Sequence, residues 1–251
     1  MSNFVVNPYR FVAGGCSTYP DSITTTAAGT VSGAVIDTDE QHFGDGCLSF
    51  DGSDDFVECD GLLPTMRGSV GSFTFWFNCA DTTLDTILGF GDTNANSMII
   101  ITVENNKAFV TGRSPAQQNF EGNIASSINT WHHIAVVQDG VALKVYHDNT
   151  EFTMTDTTDL TYWIDASIDN CRLGCSNRNN FGNVDFFAGF IQSVCFWDVA
   201  ISDEVRDYIY NSGAGRPISE LCPTYNSDDI IAWYKCQSLT NSTLNNNATP
   251  V

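Results

Sequence analysis

The sequence predicts an all-β fold, an antiparallel β-sandwich with one short helix, and three observations support this. Helix-forming charged residues are scarce, because the 251 residues include only 7 Glu and 3 Lys against 23 Asp. Asp, Asn, Ser, Thr and Gly, which favour turns and strands, are abundant. Roughly a dozen short apolar or alternating segments are separated by turn residues, a spacing typical of sandwiches whose strands are joined by tight turns.

The first half of the chain contains the most apolar segments. Short strands are predicted at 48–50 and 56–59, on either side of an Asp-Gly-Ser-Asp-Asp turn. Residues 72–79 alternate at first and are apolar enough to bury at least one face of a strand. Further strands are predicted at 86–90, 97–103 and 108–111, the last two joined by a turn at 104–107.

The clearest hairpin lies in the second half of the chain. Residues 131–137 alternate and lead through an Asp-Gly turn into a return strand at 142–146. Asp148 and Asn149 then turn the chain into 151–154, because Asp, Asn and Gly tolerate the positive φ of tight hairpin turns. The remaining strands are predicted at 168–173 and 186–197.

One helix is predicted after these strands. Ser202 is suited to its N-cap, and the two acids that follow would lie where the helix dipole favours negative charge. Gly213 is suited to end it. The domain organisation expected from this pattern is an N-terminal arm or docking segment at 1–28, a sandwich at 29–215 and a C-terminal extension at 216–251.

The charge and hydropathy of the chain exclude several partners. A net charge of −20 repels phosphate backbones and anionic lipid headgroups, so we expect neither nucleic acid nor membrane insertion. A hydrophobic fraction of 42% excludes disorder. The first ten residues lack the charged and apolar regions of a secretory signal, so we expect synthesis without export.

The nine cysteines are predicted to be mainly free, buried, small hydrophobic residues. Cys171 and Cys175 are close in sequence, but no second pair completes a zinc motif. One or two disulfides formed outside the cell remain an alternative, because sequence alone does not fix connectivity.

Four segments in this order resemble the laminin G-like, concanavalin A-like lectin jelly roll, in its pentraxin-related form. The resemblance extends over about residues 29–213 and implies a jelly-roll topology. The four segments are 46–57, 72–77, 131–149 and 187–205. They are specific for the fold and carry little information on the ligand.

The C-terminal extension departs from that family pattern. The family usually opens with an apolar Val-Ala-Trp-Tyr-like strand, and here the best match is at residues 230–235, near the other end of the chain. We therefore expect this strand to complete its own sandwich, as in a circular permutation, or that of a neighbouring subunit.

The two termini also resemble laminin G-like surface proteins of tailed phages and aquatic viruses, through residues 7–11 and 216–234. This resemblance implies a non-enzymatic virion protein, as a capsid decoration or a head- or tail-fibre component, made in the host cytoplasm and exposed outside it. It also implies a homo-oligomer that contacts other virion proteins and binds host glycans. The alternatives are a free calcium-dependent carbohydrate-binding module and a degenerate glycosidase.

No catalytic motif is visible in the sequence. It contains neither a Gly-x-Ser-x-Gly elbow, nor a phosphate-binding loop, nor a His-Glu-x-x-His motif. Glycosidases of the concanavalin fold place paired acids on one strand, and none of the seven glutamates has that spacing. We therefore expect no enzymatic activity and name no catalytic residue.

Calcium is the candidate ion, because acids concentrate in two turns and hard cations bind convergent oxygen atoms. The candidate ligands are Asp51, Asp54, Asp55 and Asp92. Two observations favour ordinary turn capping instead: Asp readily caps turns, and Gln192 and Ser193 stand where the family often has an acid. A zinc site at His132 and His133 is disfavoured, because adjacent strand residues point to opposite faces.

Overall fold

The computed structural model describes residues 28–218, 229–236, 239–240 and 243–244. The N-terminal arm predicted at 1–28 lies outside the described residues except for its last position, and so does more than half of the C-terminal extension predicted at 216–251. Within the described ranges the regular secondary structure is almost entirely β-strand. In chain order these are β1 (Gly29–Ser32), β2 (Val35–Asp37), β3 (Cys47–Asp51), β4 (Phe56–Glu58), β5 (Gly71–Cys79), β6 (Asp85–Gly91), β7 (Met98–Glu104), β8 (Lys107–Ser114), β9 (Gln117–Ala125), β10 (Trp131–Gln138), β11 (Leu143–His147), β12 (Thr150–Glu151), β13 (Thr153–Asp156), β14 (Asn170–Leu173), β15 (Ser176–Asn177), β16 (Asn183–Val184), β17 (Ala188–Trp197), β18 (Ile230–Tyr234), β19 (Leu239–Thr240) and β20 (Thr243–Leu244), with helices α1 (Leu63–Met66) and α2 (Asp203–Tyr210).

Two antiparallel sheets form the sandwich, as the sequence predicts. The first has the strand order β13-β9-β8-β7-β6-β14-β4-β1-β20-β19. The second has the order β12-β11-β10-β5-β17-β3-β2, with β18 also paired to β17. A small two-stranded sheet, β15-β16, is not part of either ladder and packs beside β6. The all-β, antiparallel sandwich is therefore confirmed.

Each predicted strand has a counterpart, but the structure contains elements that the sequence pattern did not reveal. β9 was missed because it begins with Gln-Gln-Asn and lacks clear alternation; pairing with β8 makes it a strand. The four-residue helix α1, with proline in its first turn, is too short to give a helical period. The described residues thus contain two α-helices where one was predicted.

The core lies between the two sheets and is rich in aromatic side chains. Phe73 of β5 is fully buried. Its ring centroid lies 5.6 Å from that of Phe90 in the opposite sheet and 5.9 Å from that of Trp163. The ring of Phe196, on the neighbouring strand β17, lies 6.2 Å away. Phe73 therefore links both sheets.

Helix α2 covers the outer face of the second sheet. The Ser202 side chain accepts a hydrogen bond from the Val205 amide, which confirms the predicted N-cap. The helix ends at Tyr210, because the next residue, Asn211, adopts the left-handed conformation with φ +49°. The residue that ends the helix is therefore Asn211 and not Gly213, which the sequence suggested for this role. Tyr210 stacks on Trp76 of β5, with ring centroids 6.0 Å apart. β5 is consequently buried on both faces.

The C-terminal strand β18 pairs with β17 of the same chain. The first half of β17 pairs with β3, and its second half, Val194 to Trp197, pairs with β18. Ser193 lies between the two halves at an irregularity in the β17–β5 register, with φ +52°. Its hydroxyl oxygen lies 3.1 Å from Trp233 Nε1, which donates to it. In this arrangement β18 extends the sheet beyond the end of β3.

The described cysteines are buried free thiols: Cys47, Cys59, Cys79, Cys171, Cys175, Cys195 and Cys236. Cys16 and Cys222 lie outside the described residues. Neither of the described helices is long and apolar enough to cross a membrane.

Candidate functional site

A cleft of about 500 Å³ opens beside the end of β9 and the turn between β11 and β12. Most of its exposed lining is apolar, and hydroxyl, amide, imidazole and carboxylate groups converge on it. The lining residues are Asn106, Ile124, Ala125, Ser126, Ser127, His132, His147, Asp148 and Thr150. Polar groups that converge on one concave surface are the usual mark of a ligand site.

The turn at Asp148 and Asn149 positions the carboxylate of this cleft. Both residues have positive φ, +48° and +64°, which confirms the turn predicted at this dipeptide. Asp148 Oδ1 accepts a hydrogen bond of 2.8 Å from the backbone amide of His133 on β10. The hairpin thereby fixes the carboxylate against the start of β10.

His132 connects this carboxylate to a serine. Its Nδ1 lies 2.6 Å from Asp148 Oδ2. On the other side of the ring, its Nε2 lies 3.0 Å from Ser127 Oγ and 3.1 Å from the Ser127 carbonyl oxygen. The imidazole is therefore held at both nitrogens.

His147 forms a second chain of the same kind around the same carboxylate. Its Nε2 lies 3.0 Å from Ser126 Oγ, and its Nδ1 lies 3.5 Å from Asp148 Oδ2. The ring centroids of His132 and His147 are 4.5 Å apart. One carboxylate thus lies beside two imidazoles, each of which reaches a serine hydroxyl.

The protonation states follow from burial and hydrogen bonding. Burial lowers the pKa of His147 to about 4, although Asp148 acts in the opposite direction. Burial alone would raise the pKa of Asp148, but hydrogen bonds from the His132 side chain and the His133 amide outweigh it and lower the pKa. At neutral pH the site therefore contains a carboxylate and a neutral His147.

His133 points away from this cleft. Its ring lies 5.0 Å from that of Trp76, beneath helix α2, and neither of its ring nitrogens has a hydrogen-bond partner. Burial lowers the pKa of His133 to about 3. The expectation that His132 and His133 point to opposite faces is confirmed.

The acidic turn predicted as a calcium site contains three of its four candidate ligands. Asp51, Asp54 and Asp55 each place one carboxylate oxygen within 4.8 Å of the others. Asp55 Oδ2 accepts a hydrogen bond from the Asp51 amide, and Asp51 Oδ1 accepts one from the Ser53 amide. Burial, together with the neighbouring carboxylates, raises the pKa of Asp55.

Asp92 does not belong to this cluster. It follows β6, where its Oδ1 accepts hydrogen bonds from the amides of Asn94 and Ala95. Its carboxylate caps its own turn, which is the alternative that the sequence left open for these acids.

Sequence reasoning did not identify the cleft as a site. Ser126 and Ser127 follow the strand that was missed, and His147 was read only as part of the hairpin. The sequence signal was the His147-Asp148 pair at the end of a strand. Relating this pair to His132 required the strand register, in which His147 pairs with Ile134.

This chain is similar to known proteins in its sequence profile and in its fold. The sequence profile of the concanavalin A-like lectin/glucanases superfamily matches residues 51–205. A search of curated proteins found no match.

Among solved structures, NanB sialidase from Streptococcus pneumoniae (K499G mutant) aligns with TM-score 0.57 and 18% identity over 67% of this chain. The chain spans 28% of that sialidase. The Ruminococcus gnavus IT-sialidase CBM40, solved bound to α2,3-sialyllactose, aligns with TM-score 0.52 and 12% identity over 70% of this chain and 94% of its own. The binding domain of botulinum neurotoxin serotype D aligns with TM-score 0.55 and 12% identity, over 74% of this chain and 46% of that one.

At these identities the structural matches report on the fold alone. The profile match extends over more than half of the chain. The chain belongs to the concanavalin A-like lectin/glucanases superfamily.

Proposed function

We propose that this chain is a non-enzymatic glycan-binding protein and that the cleft beside Asp148 is its sugar site. The observation that carries the proposal is the lining of the cleft. Sugar hydroxyls both donate and accept hydrogen bonds, and Asp148, the two serines and Thr150 offer groups of both kinds. Ile124 supplies an apolar surface for the C–H face of a sugar ring. The lectin-like fold, shared with a CBM40 solved with sialyllactose, supports this assignment.

Electrostatics favours neutral glycans. Asp148 presents a carboxylate to the cleft, with 28% of its side chain exposed, and the chain carries a net charge of −20. Both would repel the carboxylate of a sialic acid. We therefore expect this cleft to select neutral sugars.

The hydrogen-bonded arrangement of Ser127, His132 and Asp148 is also that of a nucleophilic triad, but details of the geometry favour binding over catalysis. A general base must present an unprotonated Nε2 to the serine hydroxyl. Here the same Nε2 also faces the Ser127 carbonyl oxygen at 3.1 Å, where two lone pairs would repel each other. The ring nitrogen is therefore not aimed at the hydroxyl alone.

A glycan array tests the proposal. We expect the wild-type protein to retain a defined set of neutral glycans. Asp148→Asn should weaken retention about tenfold or more, because a charge-assisted hydrogen bond contributes roughly 1.5–3 kcal/mol. Asparagine also adopts positive φ, so the turn should survive the substitution.

The matched control is Asp139→Asn, the same change in the turn at the other end of the hairpin. Asp139 Oδ1 accepts hydrogen bonds from Val141 and Ala142, which asparagine can also do. This variant should bind as the wild type does. An array without selective hits, or equal loss in both variants, would contradict the proposal, and cleaved glycans would contradict its non-enzymatic part.

The biological setting that we propose is the surface of a virion, as a capsid decoration or fibre component in an oligomer with other virion proteins. An acidic, lysine-poor surface keeps a protein soluble at high local copy number. The resemblance of the termini to phage and aquatic-virus proteins supports the same setting. Mass spectrometry of purified virus particles should detect the chain in multiple copies. Absence of the chain from the particles would contradict a virion setting.

Calcium at the acidic turn is a further part of the proposal. The three carboxylates of Asp51, Asp54 and Asp55 fit a hard cation, which would relieve their mutual repulsion. If the ion binds, millimolar calcium should raise the melting temperature and excess chelator should reverse the rise. Asp54→Asn should reduce this response. A melting temperature that is the same in calcium and in chelator would contradict a calcium site at this turn.

A further inference from the structure

The cluster of His132, His147 and Asp148 offers more than hydrogen bonds to a sugar. One potential ligand atom from each of the three lies within 4.8 Å of the others. The imidazoles are nearly buried, with 9% and 5% of their side chains exposed, whereas Asp148 faces the cleft. The cluster therefore has a rigid inner side and an open outer side, through which an ion can enter.

The ligand types select the class of ion. Two imidazoles and one carboxylate suit divalent transition metals, whereas calcium prefers oxygen ligands alone. Such a set also leaves a fourth position free for water. The hydroxyls of Ser126 and Ser127 lie 3.0 Å from the two Nε2 atoms, on the far side of each ring, where they would hold the imidazoles in place.

The distances are close to those that such an ion needs. Ligand atoms around a tetrahedral zinc ion stand roughly 3.3 Å apart, given bonds of about 2.0–2.1 Å. Asp148 Oδ2 lies 3.5 Å from His147 Nδ1, which fits directly. Its distance of 2.6 Å to His132 Nδ1 is that of a hydrogen bond. Metal binding would therefore release any proton held between these two atoms and move the carboxylate outward by a fraction of an ångström.

We propose that His132, His147 and Asp148 form a binding site for a divalent transition-metal ion, with zinc as the best-fitting ion. This site is separate from the acidic turn of Asp51, Asp54 and Asp55. It goes beyond glycan binding, because zinc can bind whether or not the cleft also takes a sugar.

Isothermal titration of the metal-free protein with zinc chloride, in the absence of glycan, tests the site. We expect one zinc ion per chain. The double variant that replaces both histidine ligands, His132→Gln with His147→Gln, should weaken zinc binding at least about a hundredfold. Asp148→Asn alone should weaken it about tenfold. His42→Gln is the matched control, because His42 lies in a different environment, beside Trp76. The zinc affinity of this variant should equal that of the wild type.

Cobalt(II) binding to the wild type provides a second test of the metal site, which does not depend on whether the double variant folds. Bound cobalt should develop the visible absorption of a four-coordinate site and shift the NMR signals of the His132 and His147 imidazoles. Failure of the wild type to take up zinc, equal affinity in the double variant, or shifts at His42 instead would overturn the proposal. Glycan arrays run in chelator report on the sugar site separately, so either proposal can fail alone.

Discussion

Truncation after Arg216 is expected to leave the chain largely unfolded at room temperature. It removes β18, whose Ala232, Trp233 and Tyr234 are buried against the rest of the sandwich. Loss of one large buried aromatic side chain alone costs about 3–5 kcal/mol. Loss of two, together with the hydrogen bonds to β17, approaches the roughly 5–15 kcal/mol total stability of a domain. Chemical denaturation followed by circular dichroism would measure the effect.

A graded series at Trp233 separates this effect from the removal of the tail as a whole. Trp233→Phe keeps most of the buried surface but loses the hydrogen bond to Ser193, and should cost about 1–2 kcal/mol. Trp233→Ala should cost about 3–5 kcal/mol. If the truncated chain unfolded at the same denaturant concentration as the full chain, β18 would not be part of this sandwich.

Phe73→Ala is expected to lower the stability of the fold as much as the loss of any large aromatic side chain in the core. The ring is fully buried between the sheets, in contact with Phe90, Trp163 and Phe196. Its removal leaves a cavity, for which we expect a loss of about 3–5 kcal/mol. For a chain of this size that corresponds to a fall in melting temperature of roughly 6–20 °C.

The matched control is Phe181→Ala, which removes the same side chain from a position that is 61% exposed. We expect a change below about 1 kcal/mol there, because only the contact with Arg178 is lost. Differential scanning calorimetry compares the two variants directly. Equal effects at the two positions would show that Phe73 does not link the sheets as described.

The fold was predictable because its signals are local. The turns at Asp148-Asn149 and Asp139-Gly140 need particular residues, and the strands between them alternate. β9 was not predictable in this way, because its start is polar and only its pairing with β8 makes it a strand. α1 was equally hidden, because one turn of helix has no measurable period.

The two candidate sites differ in how far the sequence could predict them, because one is formed by neighbours in the chain and the other depends on strand pairing. Asp51, Asp54 and Asp55 are neighbours in sequence, so a single turn brings them together and sequence alone could group them. The cleft depends on register: Ile134 pairs with His147, which places His132 and His147 on one face of the sheet. A shift of one residue would put His147 on the opposite face. That register is a property of the folded hairpin, and the two serines directly follow the strand that was missed.

The most direct test of the central claim is NMR titration of the four histidine side chains with the neutral glycan that the array retains best. His132 and His147 lie in the cleft, whereas His42 and His133 lie on the other side of the sheet around Trp76. We predict that the imidazole signals of His132 and His147 shift with a single saturation curve while those of His42 and His133 stay in place. Shifts confined to His42 and His133, or a bound glycan that moves none of the four, would contradict the assignment of this cleft as the sugar site.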